Sequence, residues 1–124
     1  LAPFLALAAW GGAAAAARHG TVELQPGMIL SNEPGLYREG EYGIRLENLV
    51  LVTPLAPIKG GAREMMGFET LTLVPFDCRL IDPALLTRDE LAWLNAYHAT
   101  VQERLAPRVQ GDALAWLLQR CQPI

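Results

Sequence analysis

Two short apolar segments decide the fold, and they read MILSNE over residues 28–33 and IRLENLVLVT over residues 44–53. Both are rich in aliphatic residues and neither contains an internal Gly or Pro, which predicts two β-strands. The residues between them include several turn formers, so we expect residues 36–43 to be a loop that joins an antiparallel pair.

Each predicted strand carries one glutamate. Because side chains alternate along a strand, Ser31 and Glu33 share one face of the first strand, and Arg45 and Glu47 share one face of the second. Pro34 disfavours helical geometry in the residue before it, which holds Glu33 extended at the strand end. An antiparallel pairing could therefore bring both carboxylates to one face of the sheet.

Two interpretations of this glutamate pair stay open when only the residues are considered. Close carboxylates repel each other, and a divalent cation relieves that repulsion. Oxygen ligands of this kind suit Mg²⁺, Mn²⁺ or Ca²⁺, and Zn²⁺ when imidazole is also present. A strand glutamate is more often solvated or ion-paired, and Arg45 stands two residues from Glu47 on the same predicted face.

The second half of the chain predicts one more strand and then helices. Residues 68–74 alternate as a strand does. The sequence TRDE at residues 87–90 matches a capping box that begins a helix, and Pro107 should end that helix near Ala106. A shorter helix is predicted from Gly111 to Cys121. Strands followed by helices indicate an α+β fold.

Composition narrows the class of protein. The 124 residues are about half apolar, which is typical of a globular chain. Their net charge of −3 gives no electrostatic case for nucleic-acid binding.

Cys78 and Cys121 have no metal-type spacing, which favours a reducing, cytoplasmic setting. The uncharged residues 1–17 lack a basic leader and are short for a membrane span, so we interpret them as an Ala-rich helical segment. A corrupted piece of sequence and a targeting signal remain the alternatives.

Longer motifs carry a resemblance to a known family. The strings LQPGMILSNEPG (residues 24–35) and GIRLEN (residues 43–48) resemble the Glu-Pro-Gly and Gly-Ile-Arg-x-Glu-Asn segments of aminopeptidase P. The resemblance continues through FETLTLVP (residues 68–75) and WLNAYH (residues 93–98) to the final QPI, and covers about residues 20–124.

The resemblance implies part of a pita-bread metallopeptidase fold, in which two aspartates, one histidine and two glutamates hold two divalent metal ions. Glu33 and Glu47 would be the two glutamate ligands, and Arg45 would pair with a ligand carboxylate. Mn²⁺ is the expected metal, with Zn²⁺ or Co²⁺ as alternatives. Trp10 stands where the family has a further histidine, and residues 1–17 depart from the family pattern.

The resemblance also implies an activity and a division of the chain. The family removes the N-terminal residue from peptides whose second residue is proline. Residues 1–80, of which 1–19 are atypical, would belong to the catalytic domain, and residues 81–124 would form a C-terminal helical extension that contributes to a homo-oligomer. With two of five ligands present, we expect the isolated chain to be inactive and to bind metal weakly or not at all. The alternative is a non-catalytic binding or regulatory module derived from the same fold.

Overall fold

The computed structural model describes residues 23–124. Short antiparallel strands form the first half of this range. This part divides into two units, one that ends at Thr72 and one that runs from Leu73 to Ile124. The strands are β1 (Ile29–Asn32), β2 (Gly35–Arg38), β3 (Tyr42–Arg45), β4 (Asn48–Val52), β5 (Ala56–Pro57), β6 (Glu64–Met65) and β7 (Phe68–Thr70).

The first unit is built on a three-stranded antiparallel sheet in the order β1-β4-β7. Strands β2 and β3 form a hairpin, and β5 pairs with β6. In the turn before β1, the Met28 N–H donates to the Gln25 carbonyl oxygen at 3.1 Å. Gly27 in this turn has a φ of 90°, in a region that favours glycine. On β4, the side chains of Asn48 and Val52 are buried.

The predicted loop over residues 36–43 is wrong, because most of it forms the β2–β3 hairpin around a turn at Arg38–Glu41. The predicted strand over residues 44–53 is interrupted after Arg45 and resumes at Asn48. Pro34 explains the interruption, since it lies opposite this gap and has no N–H to donate to a ladder. The antiparallel pairing itself is confirmed.

The second unit contains helices α1 (Arg88–Leu105) and α2 (Gly111–Arg120), preceded by short 3₁₀ turns at Cys78–Leu80 and Pro83–Leu85. The predicted capping box is confirmed: the Glu90 N–H donates to Thr87 Oγ1 at 3.3 Å, and the Thr87 N–H donates to Glu90 Oε2 at 2.8 Å. A 3₁₀ turn at Ala106–Arg108 ends α1 around Pro107, as expected. Within residues 23–124, neither α-helix has both the length and the apolar character that crossing a bilayer requires.

The core of the second unit joins the two helices, and its buried members are Tyr97, Val101, Leu117 and Cys121. The segment before the helices packs onto it. Tyr97 Oη donates to the Val74 carbonyl at 2.8 Å, and the Phe76 N–H donates to His98 Nε2 at 3.0 Å. The His98 ring is fully buried in this core, and Trp93 stacks on Tyr97.

His98 makes the second unit sensitive to acid. Burial lowers the pKa of His98 from its ordinary value of 6.5. The unfolded chain therefore binds a proton at a higher pH than the folded chain, so this contribution to stability is fully present above the ordinary pKa and is lost as the pH falls below it. Protonation would also remove the acceptor for the Phe76 N–H.

We expect the free energy of unfolding to decrease from about pH 7 to pH 5, by no more than about 1.4 kcal/mol per pH unit for this single proton. Urea denaturation across that range measures the slope. His98→Gln keeps an acceptor and cannot titrate, so its slope should be smaller than that of the wild-type chain. Equal slopes in the two proteins would contradict this role of His98.

A carboxylate pair opposite one arginine

The register of the strands places the two predicted ligands directly across from each other. The β1–β4 ladder ends with Asn32 paired to Asn48, and the β2–β3 ladder begins with Gly35 paired to Arg45. The register does not change between these two pairs. Glu33 and Glu47 therefore take the next opposed positions after Asn32 and Asn48.

A backbone hydrogen bond supports this alignment in the gap between the two ladders. The Leu46 N–H donates to the Pro34 carbonyl at 3.0 Å, although Pro34 can donate nothing in return. Opposed residues of an antiparallel pair project to the same face of the sheet. The strand register therefore puts Glu33 and Glu47 on the same face of the sheet, as expected.

The side chains converge as the register requires. Arg45 Nη1 lies 3.2 Å from Glu33 Oε2, and Arg45 Nε lies 3.1 Å from Glu47 Oε2. One guanidinium thus contacts both carboxylates, which brings the two acids within reach of a single positive group. Ser31 Oγ donates to Glu33 Oε1 at 2.6 Å, so each oxygen of Glu33 has a partner.

These ion pairs add little to stability. The side chains of Glu33, Arg45 and Glu47 are each between 42% and 49% exposed, and pairs at such exposure contribute roughly 0–1 kcal/mol. The β-ladders, and not the ion pairs, therefore supply most of the stability of this hairpin.

We expect Arg45→Leu to lower the free energy of unfolding by less than about 1 kcal/mol. Arg38→Leu is the matched control, because Arg38 is also on the hairpin and pairs with one exposed glutamate, Glu41. Urea denaturation should give similar midpoints for the two variants. A loss above about 2 kcal/mol for Arg45→Leu alone would mean that the guanidinium holds the hairpin together.

Tyr37 lies on the same face as the carboxylate pair, and no role for it was predicted from the sequence. A Cβ atom on Gly35 would come within 2.7 Å of Tyr37 Oη, and one on Gly43 within 2.8 Å of Tyr37 Cδ1. The ring therefore lies across these two glycines, with its hydroxyl over the residue paired to Arg45. The sequence signal for this contact was an aromatic residue, Tyr37, opposite a glycine, Gly43, across a short turn.

The Glu33 and Glu47 carboxylates fit part of the ligand set of a metal centre. Two ligands are too few for a complete centre. Two convergent carboxylates that already hold a guanidinium form an oxygen-rich, negatively charged position suited to a hard cation. Residues 23–124, however, contain no cluster of three or more His, Cys, Asp or Glu side chains able to hold a metal ion. His98 is committed to the core of the second unit through Phe76, and Trp10 lies outside the described residues.

Two family models match the sequence. The model of metallopeptidase family M24 matches residues 7–54, and the model of the C-terminal region of peptidase M24 matches residues 64–124. The first match contains Glu33, Arg45 and Glu47.

Curated proteins and a solved structure are similar over most of the chain. A protein of Arthroderma gypseum named "Probable Xaa-Pro aminopeptidase P" is 46% identical over 111 residues, which are 87% of this chain and 18% of that protein. One of the same name from Coprinopsis cinerea is 44% identical over 82% of this chain and 17% of its own length. The X-prolyl aminopeptidase of Caenorhabditis elegans, described as a cytosolic enzyme with a di-nuclear active site, matches with a TM-score of 0.72 and 40% identity. That match covers 82% of this chain and 17% of the nematode protein, so the chain spans about a sixth of the length of these relatives.

Proposed function

This chain belongs to metallopeptidase family M24, and we propose that it is the carboxy-terminal part of a dinuclear-metal aminopeptidase that removes the N-terminal residue from Xaa-Pro peptides. The observation that carries the proposal is the convergence of Glu33 and Glu47 on one guanidinium from opposed positions of a ladder. The Xaa-Pro substrate class is taken from the names of the curated relatives.

Glu33 and Glu47 are the residues of this chain that would hold the metal ions. When bound, two divalent cations would act as Lewis acids toward the scissile carbonyl group and stabilise the negative charge that develops on it. Mn²⁺ is our first choice of metal on the oxygen-rich donor set, with Zn²⁺ or Co²⁺ as alternatives.

Arg45 and Ser31 would orient the two ligands. Arg45 contacts both carboxylates and Ser31 donates to the remaining oxygen of Glu33, so each acid is restrained before any cation arrives. Partners of this kind fix the direction of metal ligands, and losing one typically lowers metal affinity or activity by 10–100-fold. Glu33 would also help to move a proton during turnover.

The family resemblance also suggests a domain division, a location and an oligomeric state. Residues 1–80 would belong to the catalytic domain and residues 81–124 to a helical extension. Both described helices lie within residues 64–124, which the C-terminal family model matches. A cytoplasmic location is proposed because the nematode relative is described as cytosolic. Self-association is proposed because apolar side chains of the first unit, among them Ile29 and Leu36, are more than half exposed.

The isolated chain should bind cations poorly. Two carboxylates that are already paired with a guanidinium supply few ligands, so we expect a dissociation constant for Mn²⁺ weaker than about 10⁻⁴ M and no release of an N-terminal residue from an Xaa-Pro peptide. Isothermal titration calorimetry and an amino-acid release assay measure the two quantities. Micromolar binding at two sites, or peptide cleavage, would contradict the expectation that further ligands are needed.

The aminopeptidase assignment is tested in a host that supplies those ligands. Residues 23–124 replace the matching segment of the nematode X-prolyl aminopeptidase, and the hybrid is assayed on an Xaa-Pro peptide. Activity that depends on Glu33 and Glu47 supports the proposal. A folded but inactive hybrid would favour a non-catalytic module derived from the same fold.

A further inference from the structure

Strand β4 is the central strand of its sheet, and Glu47 directly precedes its first residue, Asn48. On the β1 side, Asn48 is paired with Asn32. On the β7 side, the paired residues of β4 run only from Val50 to Val52. Because the backbone of a residue sets where its side chain can reach, the position of the Glu47 carboxylate depends on how the chain is held just before Val50.

Leu49 is held on the β7 side by two hydrogen bonds of different kinds. The Leu71 N–H donates to the Leu49 carbonyl at 2.9 Å, and the Leu49 N–H donates to Thr72 Oγ1 at 2.8 Å. In a regular antiparallel ladder, both main-chain groups of such a residue bond to the backbone of the residue opposite. The Thr72 hydroxyl therefore replaces a backbone carbonyl as the acceptor for Leu49.

This contact lies close to the carboxylate pair along β4. Leu49 is two residues after Glu47, so the two side chains project to the same face and the two sets of main-chain groups face the same side. Without the Thr72 hydroxyl, the Leu49 N–H would lose its acceptor and this end of β4 would be held less firmly. The Glu47 carboxylate would then occupy a wider range of positions.

The opposite end of the same ladder is closed by a second threonine. The Thr53 N–H donates to the Gly67 carbonyl at 2.9 Å, and the Gly67 N–H donates to Thr53 Oγ1 at 2.9 Å. Thr53 follows the last residue of β4, whereas Glu47 precedes the first. The two threonine hydroxyls thus accept the same kind of bond, one near Glu47 and one far from it.

We propose that Thr72 is a positioning residue for Glu47, an inference that rests on the proposed function, in which Glu47 is a metal ligand. The Thr72 hydroxyl fixes the main chain at Leu49, and the fixed main chain limits where the Glu47 carboxylate can lie. Arg45 Nε restrains the same carboxylate directly at 3.1 Å. The backbone and the side chain of Glu47 are therefore held by different residues.

The test uses the hybrid with the nematode enzyme, freed of metal and titrated with Mn²⁺ by calorimetry. Thr72→Val keeps the shape of the side chain and removes the hydroxyl, and it should raise the Mn²⁺ dissociation constant about tenfold, at the low end of the range for residues that orient metal ligands. Thr72→Ser keeps the hydroxyl and should stay within about threefold of the unsubstituted hybrid.

Hydrogen exchange at the Leu49 amide gives a second readout that does not depend on metal. Exchange should be faster in Thr72→Val than in the unsubstituted hybrid, because the N–H has lost its acceptor, and close to the unsubstituted rate in Thr72→Ser. Unchanged exchange in Thr72→Val would mean that the hydroxyl does not hold β4, and the proposal would be wrong.

Thr53→Val is the matched control, because it removes the same kind of bond at the far end of the ladder. Its melting temperature should decrease about as much as that of Thr72→Val, while its Mn²⁺ affinity stays within about threefold of the unsubstituted hybrid. Equal losses of affinity in the two valine variants would overturn the proposal. If Glu47→Gln loses metal and Thr72→Val does not, Thr72 has no positioning role and the ligand role of Glu47 still stands.

Discussion

In the hybrid with the nematode enzyme, Glu47→Gln is expected to lower kcat/KM for an Xaa-Pro peptide by more than about 100-fold, and Glu33→Gln by a similar factor. Replacing residues that only orient a ligand costs 10–100-fold, and replacing a ligand itself should cost more. Glutamine keeps the size of the side chain and removes the charge that balances a cation. The loss should therefore appear with little change in folding.

Glu69→Gln is the matched control for these substitutions. Glu69 is an exposed strand glutamate in the same sheet, paired with Leu51 and not with the carboxylate pair. Its kcat/KM should stay within about twofold of the unsubstituted hybrid, since exposed substitutions away from such features have small effects. Losses of equal size in all three variants would mean that general damage to the sheet, and not loss of a ligand, lowers the activity.

Leu117→Ala is expected to have the largest effect on stability, with a loss of about 2–5 kcal/mol. Leu117 is 3% exposed and lies in the cluster with Tyr97, Val101 and Cys121. Truncation removes buried methyl groups and leaves a cavity between the two helices. Because a small unit has a narrow margin of stability, such a loss should unfold much of it near body temperature.

Leu85→Ala makes the same chemical change where the side chain is 82% exposed, in the 3₁₀ turn at Pro83–Leu85. It should change the free energy of unfolding by less than about 0.5 kcal/mol. Urea denaturation followed by far-ultraviolet circular dichroism separates the two variants. Similar midpoints for both would show that α1 and α2 do not form the stabilising core.

The helical half was predictable because its signals are local. The capping box at Thr87 and Glu90 and the stop at Pro107 each act within a few residues, and both appear where they were expected. His98 is fully buried on α1. Its bond to the Phe76 N–H joins residues 22 positions apart, and no local pattern indicates it.

The strand half was predicted in outline and not in detail. Residues 36–43 were predicted as a loop because they are polar and contain glycine. The register of the β1–β4 ladder continues beyond Pro34, however, and most of these residues pair in the β2–β3 hairpin. The predicted third strand over residues 68–74 stops at Thr70. Beyond it the Leu49 N–H donates to Thr72 Oγ1 at 2.8 Å, so a side chain takes the place of a backbone acceptor.

The candidate site was predictable in its residues and less so in its contacts. Alternation along the strands placed Glu33, Arg45 and Glu47 on shared faces, and the ladders agree. Arg45 was expected to reach one carboxylate, but it contacts both Glu33 and Glu47. The contact of Tyr37 with two glycines depends on the β2–β3 hairpin, which was predicted as a loop.

Bound metal, counted per subunit of the purified hybrid by elemental analysis, tests most directly whether Glu33 and Glu47 are ligands. The unsubstituted hybrid and Glu69→Gln should each retain two metal ions, the number that a di-nuclear active site implies. Glu33→Gln and Glu47→Gln should each retain one or none while keeping a folded circular dichroism spectrum. If both variants keep two ions per subunit, these carboxylates are not metal ligands and the proposed function is wrong.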